Sequence, residues 1–132
     1  MATRKHFFPL ESNPDVFTEL AHHLGLPASL AFQDVLSLDD ADLLAFIPRP
    51  ALALVLVFPA SGTYFTELAE RDKDTPLYSL SGADEDVIWF KQTINNACGL
   101  YGILHALSNG EARESLGKSA HILHPQDCAR SL

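Results

Sequence analysis

Gln92-Thr93-Ile94-Asn95-Asn96-Ala97-Cys98-Gly99-Leu100-Tyr101-Gly102-Ile103-Leu104-His105-Ala106 places one of the chain's two cysteines where a loop gives way to a helix. Ala97, Leu100, Tyr101, Leu104, Ala106 and Leu107 make that helix apolar nearly all round, as for a helix inside a fold. Asn95 or Asn96 is placed to cap it and Gly110 to end it. Gly99 and Gly102 each lower helix propensity by roughly 1 kcal/mol relative to alanine, and allow a neighbour or substrate to come close. A thiol at a helix start meets unpaired N–H groups and the positive end of the helix dipole. Both favour the thiolate, which is the nucleophilic form. Gln92, upstream of the thiol, carries a side-chain amide able to donate to a developing oxyanion. The segment therefore offers a nucleophile and an oxyanion donor, and no base.

Upstream, Val87-Ile88-Trp89-Phe90 is apolar and delivers the chain to Gln92, with Trp89 read as core. Residues 61–86 are polar and acidic, with Gly62, Pro76 and Gly82 as breakers. They read as a surface connection holding one short helix around Phe65, Leu68 and Ala69. Ala51-Leu52-Ala53-Leu54-Val55-Leu56-Val57-Phe58 is an unbroken apolar run ended by Pro59, expected to be a central strand covered on both faces. Ser37–Phe46 is expected to be a short helix stopped by Pro48 and Pro50, and Ala31–Leu36 a short strand. Asn13 as N-cap, Pro14 at the first helical position and Gly25 as terminator define a helix over about residues 14–24. His22 and His23 fall in its last turn, where positive charge is favourable, a better account of the pair than metal binding.

Several side chains have plain readings. His105 on an apolar helix is expected to be a core histidine whose ring finds a backbone carbonyl. His121, His124 and Cys128 are ligand types at loose spacing, which is weak support for zinc, and Cys128 reads as a spectator. No metal site is assigned.

The chain has 132 residues, 47% hydrophobic and 20% charged, as expected of one soluble domain. Nine Lys and Arg against seventeen Asp and Glu leave a formal charge of −8. That excess repels phosphate, which argues against nucleic acid, and suits a basic partner or solubility alone. No apolar run has the length of a membrane span, and no apolar stretch follows Met1–His6 as in a secretory signal. Two cysteines without a signal point to a reducing, cytoplasmic setting.

Gln92, Asn96-Ala97-Cys98-Gly99, Ile103-Leu104, His105 and Ala106 together resemble the active-site signature of the ubiquitin C-terminal hydrolases, papain-like thiol peptidases. Pro9-Leu10-Glu11-Ser12-Asn13-Pro14, Phe32-Gln33-Asp34-Val35 and Pro48-Arg49-Pro50 are similar to that family as well, so the likeness runs from about residue 8 to 110. The resemblance implies an α+β fold, helices packed on a central antiparallel sheet, incomplete in this chain. It implies cleavage at the C-terminal glycine of ubiquitin without a cofactor, with Cys98 as nucleophile and with Gln92 and the Cys98 N–H as the oxyanion hole. Glu11, Asn96 and the acidic stretch 84–86 are the candidates to meet ubiquitin, whose tail is rich in arginine.

The family's general-base histidine and its aspartate lie on downstream strands, and nothing in residues 1–132 matches them. His105 stands seven residues beyond Cys98, about 10 Å along a helix axis, whereas a base must reach within about 3 Å or one water. The expectation is therefore a single truncated domain, residues 1–132, with a poorly specified tail over 111–132. Its hydrolase activity alone should be weak or absent. The alternatives are a non-catalytic ubiquitin-binding protein and a structural domain unconnected with ubiquitin. Oligomeric state is not set by the sequence.

Overall fold

The computed structural model of the protein describes residues 7–76, 78 and 85–116. Helix α1 (Pro14–His23) starts where the sequence places it. The Asn13 side-chain oxygen accepts the Asp15 N–H at 2.9 Å, and Pro14 forgoes only an N–H that has no helical partner. Gly25 ends the helix at φ 107°, a conformation costly for any residue with a Cβ. That turn lets the Gly25 N–H donate to the His22 carbonyl and the Leu26 N–H to the Ala21 carbonyl, which satisfies two of the last-turn carbonyls.

Helix α2 (Ala41–Leu44) is one turn within the expected 37–46 span, capped by the Asp40 carboxylate on the Asp42 and Leu43 N–H groups. Helix α3 (Gly62–Asp72) is capped by the Ser61 hydroxyl on the Tyr64 N–H and contains Phe65, Leu68 and Ala69 as expected. Helix α4 (Cys98–Ser108) and helix α5 (Gly110–Ser115) follow in close succession.

The core lies between α1 and α4. Phe17, Ala21 and Leu26 meet Ile103 and Leu107, with Leu10, Leu20, Leu30, Phe32 and Phe90 partly buried around them. Phe32 does not sit in the expected strand over 31–36, which carries no secondary structure. Its ring packs edge-on against Phe17 at 5.5 Å, and its N–H donates to the Thr18 hydroxyl at 2.8 Å. Thr18 thereby supplies the hydrogen bond a neighbouring strand would have supplied.

The expected strand over 51–58 is also absent. The run is irregular, and Leu54 and Leu56 are more than four-fifths exposed. A strand exists only when a neighbour accepts from its N–H groups and donates to its C=O groups, and among the described residues no second strand does so. The described residues thus hold five helices and no sheet. Trp89, read as core, is 61% exposed. No helix of the described residues is long and apolar enough to cross a membrane.

Gly99 is where the N-terminal lead-in meets α4. A Cβ built there would come within 2.9 Å of the Leu10 Cβ, which is tied to backbone and cannot swing away. Gly99→Ala is expected to cost about 1–3 kcal/mol through overpacking. One turn on, a Cβ at Gly102 would meet Val55 at 3.9 Å, an ordinary contact. Gly102→Ala should therefore gain up to about 1 kcal/mol of helix propensity. Urea midpoints of the two variants should move in opposite directions; a shift in the same direction would refute the assignment of Leu10 to Gly99.

Candidate functional site

The site is the junction of the 92–97 loop with α4. Asn96 turns the chain at φ 59°, a left-handed conformation that asparagine tolerates better than most residues. Buried Ala97 follows, and Cys98 is the first helical residue and exposed. No side chain caps this helix, contrary to the expectation for Asn95 or Asn96. The first intrahelical bond runs from the Tyr101 N–H to the Ala97 carbonyl at 2.9 Å. The N–H groups of Cys98, Gly99 and Leu100 precede that ladder and point away from the helix beside the thiol.

The loop is fastened at three points. The Phe7 N–H donates to the Asn95 carbonyl at 3.1 Å. The Thr93 N–H donates to the hydroxyl of buried Tyr101 at 3.4 Å. The Gln92 amide donates to the Ile94 carbonyl at 2.9 Å. Gln92 is exposed, and an amide nitrogen carries two hydrogens, so this bond orients the carboxamide and leaves one donor. Glu11 is exposed and follows directly on Leu10, the residue that touches the Cys98 turn at Gly99. Of the acidic stretch 84–86, Glu85 accepts a hydrogen bond from Tyr78, Asp86 is exposed, and residue 84 lies outside the described residues.

His105 departs from its expected role. Its Nε2 does not donate to a carbonyl; it accepts the Phe90 N–H at 2.9 Å. Asn109, one turn on, accepts the Ile88 N–H at 2.8 Å and donates to the Ile88 carbonyl at 3.0 Å and to the His105 carbonyl at 2.9 Å. Trp89 lies flat on the His105 ring, with centroids 4.6 Å apart and planes 13° from parallel. Burial pushes the His105 pKa below its ordinary value. Sequence reading missed this pair. The signal was two polar residues four apart, His105 inside a mostly apolar helix and Asn109 just past its end.

The other histidines are engaged on backbone. His22 donates to the Leu30 carbonyl at 2.9 Å, and His23 to the Glu19 carbonyl at 2.8 Å. They line an open hollow with Asp15, Thr18 and Glu19, yet among the described residues no three ligating side chains gather as a metal site would need. His121, His124 and Cys128 lie outside the described residues.

The exposed Cys98 thiol thus stands on the first turn of α4, just behind the turn at Asn96. Residues 7–126 match the ubiquitin carboxyl-terminal hydrolases, family 1, and the chain belongs to that family. It is 47% identical over 104 residues to the ubiquitin carboxyl-terminal hydrolase YUH1 of Saccharomyces cerevisiae, covering 79% of this chain and 40% of that protein. It is 44% identical over 112 residues to a ubiquitin carboxyl-terminal hydrolase of Aplysia californica, covering 84% of this chain and 48% of that one. A Drosophila melanogaster ubiquitin carboxyl-terminal hydrolase is 36% identical over 132 residues, 94% of this chain and 57% of its own length. The chain thus spans about half the length of these relatives.

Proposed function

We propose that this chain carries the nucleophile and the oxyanion donors of a thiol-dependent hydrolase acting at the C-terminal glycine of ubiquitin. The observation that carries the reading is the exposed Cys98 on the first turn of α4, inside a family match that covers most of the chain. In this reading Cys98 attacks the glycine carbonyl, and the Gln92 amide and the Cys98 N–H receive the charge that develops on oxygen. Glu11 and Asn96 meet the basic ubiquitin tail, and no cofactor takes part. The 51–58 run becomes a strand of the family's sheet when neighbours pair with it, which would cover its exposed leucines.

Among the described residues no imidazole is hydrogen-bonded to Cys98; His105 is held by Phe90, and His22 and His23 by α1 and its loop. A general base contributes about 10²–10⁴-fold. Residues 1–132 alone should therefore bind ubiquitin and present the thiol, with little turnover. The experiment uses ubiquitin bearing a thiol-reactive electrophile at its C-terminus. One adduct on Cys98, mapped by mass spectrometry and absent in Cys98→Ala, is expected. Saturable ubiquitin binding with no adduct would favour a purely binding role instead. No binding at all would leave a structural domain, and overturn both.

A further inference from the structure

We propose that His105 and Asn109 are positioning residues for the Cys98 site: they hold the Ile88–Phe90 segment on α4, set where Gln92 stands, and let go when His105 is protonated. This rests on the functional reading above and adds a means of regulating it. The hydrogen bonds define a clamp. The Ile88 and Phe90 N–H groups, two residues apart, point to one side of an extended segment. Asn109 takes the first from the C-cap of α4, and His105 takes the second from inside the helix, four residues earlier. Asn109 also donates to the Ile88 carbonyl, so its carboxamide does for Ile88 what a neighbouring strand would do. Two residues beyond Phe90 stands Gln92, so the clamp fixes the last anchored point before the oxyanion donor.

The clamp is sensitive to pH by its chemistry. An imidazole nitrogen accepts a hydrogen bond only through its lone pair, and a protonated ring has donors alone. Protonation at Nε2 would set one N–H against the Phe90 N–H. The rings packed on the imidazole are those of Trp89 and Phe90, both neutral, and the neutral Asn109 carboxamide donates to the His105 backbone carbonyl. Asp86 and Lys91 flank the segment, Tyr101 lies one turn back on α4, and α5 carries Glu111, Arg113 and Glu114. On α1, which packs against α4, the titratable groups are Asp15, Glu19, His22 and His23. Among the described residues none of these forms an ion pair with His105. Burial lowers the folded pKa, so the neutral, clamped form is complete above the ordinary histidine value of about 6.5 and is lost as pH falls through the lower, folded value.

Amide exchange tests the clamp on the chain as it is. Corrected for intrinsic rate, protection of the Phe90 N–H should fall at least about tenfold between about pH 7.5 and about pH 5. The Leu107 N–H, inside α4, should keep its protection and so report that the fold is intact. His105→Gln, which retains an acceptor and does not titrate, should flatten the Phe90 profile; Asn109→Ala should expose Ile88 at every pH. The site is then read by acylation of Cys98 from a ubiquitin C-terminal thioester, divided by its alkylation by iodoacetamide, a ratio that cancels ionisation of the thiol itself. That ratio should fall on acidification in the natural chain and stay level in His105→Gln. A Phe90 protection unchanged by pH, or a ratio that falls equally in both proteins, overturns the proposal while leaving the functional reading in place. A Cys98 that no ubiquitin thioester acylates at any pH overturns the functional reading, and the positioning role with it.

Discussion

Replacing Ile103 by alanine is expected to cost residues 1–132 about 2–5 kcal/mol, enough to separate α1 from α4. Ile103 is fully buried and stands at the centre of the only apolar cluster among the described residues, between Phe17, Ala21, Leu26 and Leu107. Truncation removes the transfer energy of three carbons and leaves a hole that the stiff surroundings fill only in part. A domain holds about 5–15 kcal/mol in total, and one with so small a core sits at the low end, so the loss is a large share. Urea unfolding followed by far-UV circular dichroism measures it. Leu54→Ala is the comparison. Leu54 is 83% exposed, and its truncation should stay within about 0.5 kcal/mol. If Leu54→Ala proves as costly as Ile103→Ala, the 51–58 run is covered in solution and the exposed arrangement described above is wrong.

That contrast also shows which parts of the fold a sequence reveals. Asn13, Pro14 and Gly25 bound α1 because caps and left-handed terminators act within a few residues of themselves. Cys98 was legible at its helix start for the same reason: the polar loop and the apolar period change at one point. The 51–58 run was legible as apolar and not as to its state, because a strand depends on partners far away in the chain. The same local reading made Trp89 core; its ring instead lies over His105, at the face of α4. Periodicity reports which side of a helix is apolar, and says nothing of which backbone groups a polar side chain on it will serve. The roles of His105 and Asn109 followed only once the Ile88–Phe90 segment was placed beside them.

Gln92→Ala is expected to slow acylation of Cys98 by a ubiquitin C-terminal thioester about 10²–10³-fold, while leaving its alkylation by iodoacetamide unchanged. The two reactions use the same sulfur and differ in what happens to oxygen. Attack on a thioester carbonyl puts a full charge on the carbonyl oxygen in the tetrahedral intermediate, and a placed amide donor is worth about 3–4 kcal/mol to that charge. Displacement of iodide at an sp³ carbon develops no oxyanion, so the amide has nothing to stabilise. A thioester also releases a thiolate that needs no proton, so single-turnover acylation does not call on a general base. The bond from Gln92 to the Ile94 carbonyl gives a further expectation. With one amide hydrogen held by the loop, the other is fixed in direction, and Gln92→Glu, which keeps the shape and loses both donors, should be as slow as Gln92→Ala. If both variants acylate at the rate of the natural chain, the carboxamide belongs to the loop alone, and the Cys98 and Gly99 N–H groups are left as the donors. If alkylation slows in parallel, Gln92 acts on the thiol rather than on the oxygen.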